Sequence, residues 1–236
     1  MKDKKVVAIV QARMGSKRLP GKMMLEIAGE PLLKLIFDRL RRSKEIDKII
    51  LATSTNDEND ALEKLATEEA IECYRGSEDD VLDRFYQVAQ READFRFIVR
   101  VCADNPLLDP LEVDRLVRFH QRGQYDYSFN HIPYDDNDYP NGVGAEILSR
   151  EMLKYIWERA DQAHQREHCF DYVWDNKSEF NIGILIALKS IRRPDIKLDV
   201  DTEEDLAFLR GLLDHLSYDQ IVRLTTREII KIYDKR

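Results

Sequence analysis

The sequence predicts an α/β protein built around a doubly wound, mostly parallel β-sheet. Short β-branched runs alternate along the chain with longer segments whose apolar residues recur at helical spacing. The first run, VVAIV at 6–10, has no alternation of apolar and polar residues, as expected for a strand buried on both faces. Repeated alternation of strand and helix favours parallel strands that are joined by right-handed crossovers.

Each further strand is predicted from a short apolar run that ends at polar or turn-forming residues. The segment 125–131 is a weaker candidate, because polar residues interrupt it. The predicted strands after the first are 47–54, 71–74, 95–103 and 180–188.

The helices are predicted from apolar spacing and from end signals. Pro31 suits the first turn of a helix at 30–43. Ser77 or Asp79 is the expected N-cap of the helix at 77–93. The other predicted helices are 56–70, with an acidic first turn, 109–123, ending at Gly123, 150–160, 165–176 and a terminal helix at 225–236. The segment 198–216 is predicted to go from a short extended piece into a helix capped at Thr202, with Asp205 three residues on.

The regularity weakens after Tyr125. A polar connection bearing Pro and Gly is expected at 132–146, and no internal repeat or long linker interrupts the sequence. We therefore predict one domain over residues 1–236, with an inserted segment at about 125–180 that covers a binding site.

Composition excludes several classes of protein. Among 236 residues, 37 are Lys or Arg and 45 are Asp or Glu, which gives a net charge of −8. This balance argues against a protein that binds nucleic acid or a membrane surface. Three well-separated cysteines form no metal or disulfide pattern, and no segment approaches the roughly 20 apolar residues of a membrane span. A cytoplasmic protein is expected.

The loop after the first strand, IVQARMGSKRLPGK at 9–22, is unusually cationic for an acidic protein. It lies where ligands bind in a doubly wound sheet, beyond the carboxyl ends of the strands. Gly15 and Gly21 allow close backbone approach to a ligand, and Ser16 adds a hydroxyl donor. A solvated basic surface loop is the alternative, but the position favours a polyphosphate site. The four cations of the loop are Arg13, Lys17, Arg18 and Lys22.

Two aspartates follow predicted extended segments directly. Asp104 comes after the strand at 95–103, and Asp201 follows the short segment IKLDV. Taken singly, each could be a turn or helix-capping residue. As a pair beside a polyphosphate loop they suit Mg²⁺, which prefers one or two carboxylates together with phosphate oxygens. Asp199 is a weaker alternative ligand.

These segments together resemble a known family. QARMGSKRLPGK is followed by RGSEDDVLDRF at 75–85, RVCADNPLLDP at 100–110, REHCFDY at 166–172 and DVDTEEDL at 199–206. The ordered set resembles the cytidylyltransferases of the spore coat polysaccharide biosynthesis protein F group, which are related to CMP-Kdo and CMP-sialate synthetases. The resemblance covers about residues 6–210. It implies a Rossmann-like nucleotide-diphospho-sugar transferase fold and Mg²⁺ on Asp104 and Asp201.

The resemblance also implies where the substrates bind. The Arg75–Ser77 region is expected to contact the nucleotide base and ribose. Arg100, within a buried strand, is expected to meet either the nucleotide or Asp104. The residues expected to bind the nucleotide are Ala12, Arg13, Gly15, Ser16, Arg18, Lys22, Arg75, Ser77 and Arg100, of which Arg13 and Lys22, with Asp104, are expected to be catalytic.

A second substrate has to lie opposite the nucleotide, and the inserted segment is the expected place. Glu146, Arg166 and His168 are the candidate acceptor-binding residues, although for His168 a surface or core histidine without a site role is the more common case. The sequence VGA at 143–145 departs from the family pattern, which leaves the acceptor's identity open.

The expected function is nucleotidyl transfer from CTP to an acidic or phosphorylated sugar-like acceptor, with pyrophosphate released. A metal-dependent glycosyltransferase is one alternative, because Asp199 and Asp201 form a D-x-D pair. A non-catalytic nucleotide-binding protein is the other, although it would have no need for paired acids. A homodimer is possible, since the apolar residues of the last helix could form either core or an interface.

Overall fold

The computed structural model describes residues 5–130 and 137–236. Its strands are β1 (Lys5–Gln11), β2 (Glu26–Ile27), β3 (Glu30–Pro31), β4 (Lys48–Ser54), β5 (Glu72–Gly76), β6 (Phe95–Cys102), β7 (Tyr127–Phe129), β8 (Glu146–Ser149) and β9 (Ile182–Ile184). Its helices are α1 (Leu32–Leu40), α2 (Asp60–Glu68), α3 (Val81–Arg91), α4 (Pro110–Gly123), α5 (Arg150–Trp157), α6 (Ala163–Glu167), α7 (Asp171–Asp175), α8 (Glu203–Leu213), α9 (Tyr218–Arg223) and α10 (Thr226–Tyr233).

Seven strands form one sheet in the order β5-β4-β1-β6-β8-β7-β9. Strands β5, β4, β1 and β6 are parallel to one another, so their carboxyl ends share one rim. Strand β8 is antiparallel to both of its neighbours, β6 and β7, and β9 is again parallel to β7. The predicted α/β class with a mostly parallel sheet is confirmed.

Strand β1 shows why its sequence is apolar without alternation. Val6, Ala8 and Val10 pack on one face of the sheet, and Val7 and Ile9 pack on the other. All five are essentially fully buried. Helices cover both faces, so every position of this strand meets apolar neighbours, as the sequence predicts.

Several element boundaries differ from the predictions. Strand β8 is not predicted, because four residues after a glycine-bearing stretch leave too little pattern to detect; only Glu146 falls within the predicted connection at 132–146. Helix α3 is capped by Asp80, whose carboxylate accepts from the Asp83 amide at 2.8 Å, and not by Ser77 or Asp79. Helix α4 ends at Gly123 as predicted, and the left-handed residue that follows it is Gln124, with φ 52°.

The C-terminal region forms two further helices where one was predicted. The capping box of Thr202 and Asp205 at α8 is present as expected, and α9 precedes α10. Ile229 and Ile230 of α10 are buried in the core. Residues 132–136 of the predicted connection lie outside the described residues. None of the helices in the described ranges is long and apolar enough to cross a membrane.

A fully buried arginine joins the C-terminal helices to the segment between β6 and α4. Arg39, at the end of α1, has no exposed surface. Its guanidinium donates to five backbone carbonyls, those of Leu107, Leu108, Ile221, Val222 and Leu224, at 2.6–3.3 Å. Burial lowers its pKa to about 10, and the nearby Asp109 carboxylate opposes that change. The charge is thus satisfied by peptide dipoles.

Replacing Arg39 by Met should reduce the free energy of unfolding by about 3–5 kcal/mol, because buried carbonyls lose their donors. Urea denaturation would measure the change. Arg42→Met is the matched control, since Arg42 donates to the Val222 carbonyl at 2.7 Å from an exposed position and should cost less than about 1 kcal/mol. Equal losses in the two variants would contradict this account of Arg39.

Candidate functional site

The cationic loop is shaped by hydrogen bonds at Met14. The Met14 carbonyl accepts from the Ser16 amide at 2.8 Å and from the Gly21 amide at 3.1 Å, which closes the loop on itself. The Met14 amide donates to the side-chain oxygen of Asn59 at 2.8 Å. Gly21 has φ 70°, a left-handed conformation that favours glycine. The loop is therefore held by backbone contacts that leave its cations free to meet other groups.

Lys22 lies between the two predicted metal-holding aspartates. Its ammonium is 3.8 Å from an Asp104 oxygen and 3.5 Å from an Asp201 oxygen. It also donates to the Val200 carbonyl at 2.9 Å. The Lys22 side chain is only 12% exposed. The opening loop and both acids therefore face one cleft at the carboxyl rim of the sheet, as the sequence predicts.

Backbone contacts hold the two aspartates together. The Val200 amide donates to the Asp104 carbonyl at 2.8 Å, which ties the segment after β6 to the segment before α8. The Asp201 amide donates to the Asp205 carboxylate at 2.9 Å, so the start of α8 fixes the position of Asp201. The spacing of the two acids is consequently set by the fold and not by their side chains.

The donor set suits a hard divalent cation. Two carboxylates already face one ammonium group, so the site accepts a positive charge between them. Mg²⁺ commonly takes one or two protein carboxylates and completes its shell with phosphate oxygens and water. Among residues 5–130 and 137–236, no group of three or more His, Cys, Asp or Glu side chains is arranged to hold a metal ion.

Asp199 is engaged elsewhere. Its carboxylate accepts from the Asn141 amide group at 2.8 Å and lies 3.5 Å from the Lys197 ammonium. Burial raises the pKa of Asp199, and the negative charges of Asp201 and Asp104 act in the same direction. These contacts make Asp199 a support for the loop at Asn141.

The other loop cations also meet carboxylates. Arg18 is 2.8 Å from an Asp201 oxygen. Arg13 is 3.1 Å from a Glu78 oxygen and 4.0 Å from a Glu167 oxygen. Lys17 is exposed.

The remaining loop positions predicted to bind nucleotide are placed by backbone contacts. The buried Ala12 donates its amide to the Ala52 carbonyl at 3.3 Å. The Ser16 hydroxyl accepts from the Leu19 amide at 3.3 Å. Gly15 is exposed, and a Cβ atom there would lie 2.7 Å from a Glu58 oxygen. Because Glu58 is exposed and its side chain can move, the described contacts place no strong steric demand for glycine at position 15.

Arg75, near the end of β5, and Ser77, just after the strand, make different contacts. Arg75 turns toward α2, where it pairs with Asp60 at 2.6 Å and with Glu63 at 2.7 Å. The Ser77 hydroxyl accepts from the Asp80 amide at 3.2 Å. Arg84, which is 1% exposed, donates to the Ser77 carbonyl and to the Glu78 carbonyl. The buried Arg84 side chain thus holds the backbone at Ser77 and Glu78 in place.

The three residues expected to bind the acceptor differ in their contacts and in their exposure. Glu146 is 3% exposed and accepts hydrogen bonds from Arg100 and from the Tyr127 hydroxyl. Arg166 pairs with Asp80 at 2.6 Å, which ties α6 to the start of α3, and His168 is exposed. The sequence leaves open the nucleotide or Asp104 as the partner of Arg100; in the structure its carboxylate partner is Glu146, which the sequence does not predict.

The Arg100 side chain makes one further hydrogen bond and stays partly exposed. Its Nε donates to the Gln11 side-chain oxygen at 3.1 Å, and its side chain is 15% exposed. Phe170 lies with its ring centroid 5.8 Å from the guanidinium carbon. The guanidinium therefore lies on the face of the sheet covered by α6 and α7.

Sequence reasoning missed Asn59 and Glu78. Asn59 is fully buried and joins the loop to β4, because its amide group also donates to the Ser54 hydroxyl at 2.7 Å. Asn59 and Glu78 fall within the helices predicted at 56–70 and 77–93. The available signal is that both follow strands of the parallel sheet, β4 and β5, on the same rim as the loop.

A sequence profile of the cytidylyltransferases matches residues 7–233. The chain belongs to this cytidylyltransferase family. The resemblance predicted from the sequence is confirmed, because the spore coat polysaccharide biosynthesis protein SpsF of Bacillus subtilis is 31% identical over 88% of this chain and 85% of its own length. The 3-deoxy-manno-octulosonate cytidylyltransferase of Acidobacterium capsulatum is 25% identical over 90% of this chain and 98% of its own length.

The architecture agrees with the cytidylyltransferase assignment. A solved cytidylyltransferase structure from Leptospira borgpetersenii superimposes with a TM-score of 0.88 at 26% identity. The superposition covers 98% of this chain and 94% of the other. The predicted Rossmann-like fold of the nucleotidyltransferases is thereby confirmed.

Replacing Asn59 by Ala should speed hydrogen exchange in the cationic loop of this cytidylyltransferase, because the Met14 amide loses its acceptor. A loss of about 1.4 kcal/mol corresponds to roughly tenfold faster exchange at 13–21. Mass spectrometry of exchanged peptides would measure it. Asn59→Asp keeps an oxygen acceptor for Met14 and should exchange more slowly than the Ala variant. Unchanged exchange at 13–21 in Asn59→Ala would contradict the role of Asn59.

Proposed function

We propose that this cytidylyltransferase transfers CMP from CTP to an acidic or phosphorylated sugar-like acceptor and releases pyrophosphate. The observation that carries the proposal is the position of Lys22 within 3.8 Å of Asp104 and 3.5 Å of Asp201. A cationic glycine-bearing loop and a pair of acids meet in one cleft. A triphosphate needs the first, and its bound divalent cation needs the second.

In the proposed reaction, an oxygen of the acceptor attacks the α-phosphorus of CTP. The new bond forms in line with the bond that breaks, and pyrophosphate leaves. The work of the protein is positioning and charge neutralisation. Lys22 and Arg13 would hold phosphate oxygens, with Arg18 and Lys17 assisting, because these side chains line the loop at the rim.

Asp104 and Asp201 would hold Mg²⁺. When bound, the ion would neutralise phosphate charge and polarise the α-phosphate. Because both aspartates are placed by backbone hydrogen bonds, the protein keeps them close together despite their like charges.

The acceptor side is proposed from the chemistry of the insertion and from the names of the relatives. One relative is a spore coat polysaccharide biosynthesis protein, and another is a 3-deoxy-manno-octulosonate cytidylyltransferase, named for a sugar acid. We assign Glu146, Arg166 and His168 to this side, with Glu146 acting through its contact with Arg100. A carboxylate or phosphate acceptor needs no strong general base, in keeping with this donor set.

The two alternative functions receive less support. A glycosyltransferase would use Asp199 and Asp201 together on a metal, but the Asp199 carboxylate is bound by Asn141. A protein that only binds nucleotide would not need Asp104 and Asp201 facing each other across an ammonium group.

Pyrophosphate release tests the proposal. CTP, UTP, ATP and GTP would each be incubated with a panel of sugar acids, sugar phosphates and phosphonates, with and without Mg²⁺. We expect pyrophosphate with CTP, one class of acidic acceptor and Mg²⁺, and none after chelation by EDTA. Absence of pyrophosphate with every triphosphate would reject the proposed function, and activity with no added metal would reject the role of Asp104 and Asp201.

Replacing Lys22 by Ala should lower kcat/KM for CTP by about 100-fold or more, because a preorganised donor to the phosphates is lost. Lys34→Ala is a matched control: Lys34 also lies between two carboxylates, 2.8 Å from Asp38 and 3.7 Å from Glu69, and is 20% exposed, but it is on α1. Its kcat/KM should stay within about twofold of the wild type. Comparable losses in the two variants would contradict the assignment of Lys22.

A further inference from the structure

Asp80 joins two helices through the two oxygens of its carboxylate. Oδ1 accepts from the Asp83 amide at 2.8 Å and caps α3. Oδ2 accepts from two nitrogens of Arg166, from Nε at 2.9 Å and from Nη2 at 2.6 Å. Arg166 belongs to α6. A single carboxylate therefore ties the start of α3 to the segment assigned to the acceptor.

All three nitrogens of the Arg166 guanidinium donate to the protein. The third, Nη1, donates to the Trp157 carbonyl at 3.0 Å. The guanidinium carbon also lies 5.8 Å from the centroid of the Trp157 ring. The side chains of Arg166 and Asp80 are 22% and 28% exposed, so water and salt screen their attraction only in part. Arg166 thus serves the acceptor side by holding α6 in place.

Trp157, the last residue of α5, brings a third helix to the junction. Its indole nitrogen donates to the Asp83 carboxylate of α3 at 2.9 Å. Its ring stacks on Tyr86, also of α3, with the ring centroids 4.0 Å apart and the planes 12° from parallel. Helices α3 and α5 therefore form one packed unit, on which the Asp80–Arg166 pair seats α6.

The start of α3 has a support of its own on the nucleotide side. Arg84 is 1% exposed and donates to the carbonyls of Ser77 and Glu78, which precede Asp80. These bonds do not involve Arg166. Loss of the ion pair should therefore release α6 without moving the segment that follows β5.

The residues after Arg166 lie beside the opening loop. A Glu167 oxygen is 4.0 Å from a nitrogen of Arg13, one of the cations proposed to hold the phosphates. The amide of His168, at the end of α6, donates to the His164 carbonyl at 2.8 Å, so His168 moves with the helix. The position of α6 consequently sets the distance between the acceptor side and the nucleotide side.

We infer that the Asp80–Arg166 ion pair positions the acceptor for attack on the nucleotide. The inference rests on the proposed function. The pair holds α6, and with it Glu167 and His168, at a fixed distance from the opening loop. Both members are positioning residues, because neither touches the reacting atoms. In-line attack is sensitive to displacements of about 1 Å, so a displaced α6 would slow the reaction even when CTP binds normally.

Two substitutions remove the pair in different ways. Asp80→Asn keeps an oxygen that caps α3, but its NH₂ group cannot accept from Arg166. Arg166→Met removes the donors, whereas Arg166→Lys keeps the charge on one nitrogen. We expect kcat/KM for the acceptor that releases pyrophosphate, measured at saturating CTP and Mg²⁺, to fall about tenfold in the first two variants and by less in Arg166→Lys. The dissociation constant of CTP, measured by calorimetry, should stay within about twofold.

A double variant and hydrogen exchange show whether the two residues act as a pair. Asp80→Asn combined with Arg166→Met should lose no more activity than Arg166→Met alone, because the interaction is already absent. Peptides over 163–168 should exchange about tenfold faster in each single variant, with 81–91 unchanged in Asp80→Asn. Glu45→Gln is the matched control: Glu45 is also 28% exposed and lies 2.8 Å from Arg118, and this variant should match the wild type throughout.

The outcomes separate this inference from the proposed function. If the wild type releases no pyrophosphate with any substrate pair, both fail. If the wild type is active but Asp80→Asn and Arg166→Met keep its kcat/KM for the acceptor, only the positioning role is overturned. Losses that multiply in the double variant, or an equal loss of CTP affinity, would also overturn it. Faster exchange over the whole chain would indicate general destabilisation and would have the same consequence.

Discussion

The contact of the Lys22 ammonium with Asp104 and Asp201 is the interaction on which the site depends. The two carboxylates repel each other, because they carry like charges in a partly buried cleft. A cation between them removes that cost, and the 12% exposure of Lys22 keeps it from being screened by water. The Lys22 ammonium therefore balances the charges of Asp104 and Asp201 at the carboxyl rim of the sheet.

The parts of the chain that meet at this contact are far apart in sequence, so the fold has to hold them. The Val200 amide bonds to the Asp104 carbonyl, and the Thr226 amide bonds to the buried Asp109 carboxylate at 2.6 Å. Arg39 binds carbonyls on both sides of that junction. The C-terminal helices therefore brace the segment that carries Asp104, which explains why a buried charge is retained there.

The sequence predicts the parallel half of the sheet well, because fully buried strands such as β1 leave an unmistakable apolar run. It also predicts Lys22 and Asp104 at one rim, since they follow β1 and β6, and parallel strands share their carboxyl edge. It fails for β8, whose four residues carry no periodicity and whose pairing depends on β6 and β7. It fails also for Asn59, because a buried side chain that bonds a distant backbone leaves no local pattern.

The cations of the opening loop in this acidic protein are largely paired with carboxylates. Arg13 pairs with Glu78, Arg18 pairs with Asp201, and Lys22 pairs with both aspartates. A triphosphate that takes over Lys22 and Arg18 would leave Asp104 and Asp201 facing each other without a counter-charge. A divalent cation would remove that repulsion and bind the phosphates at the same time, so entry of the nucleotide and entry of the metal would each favour the other.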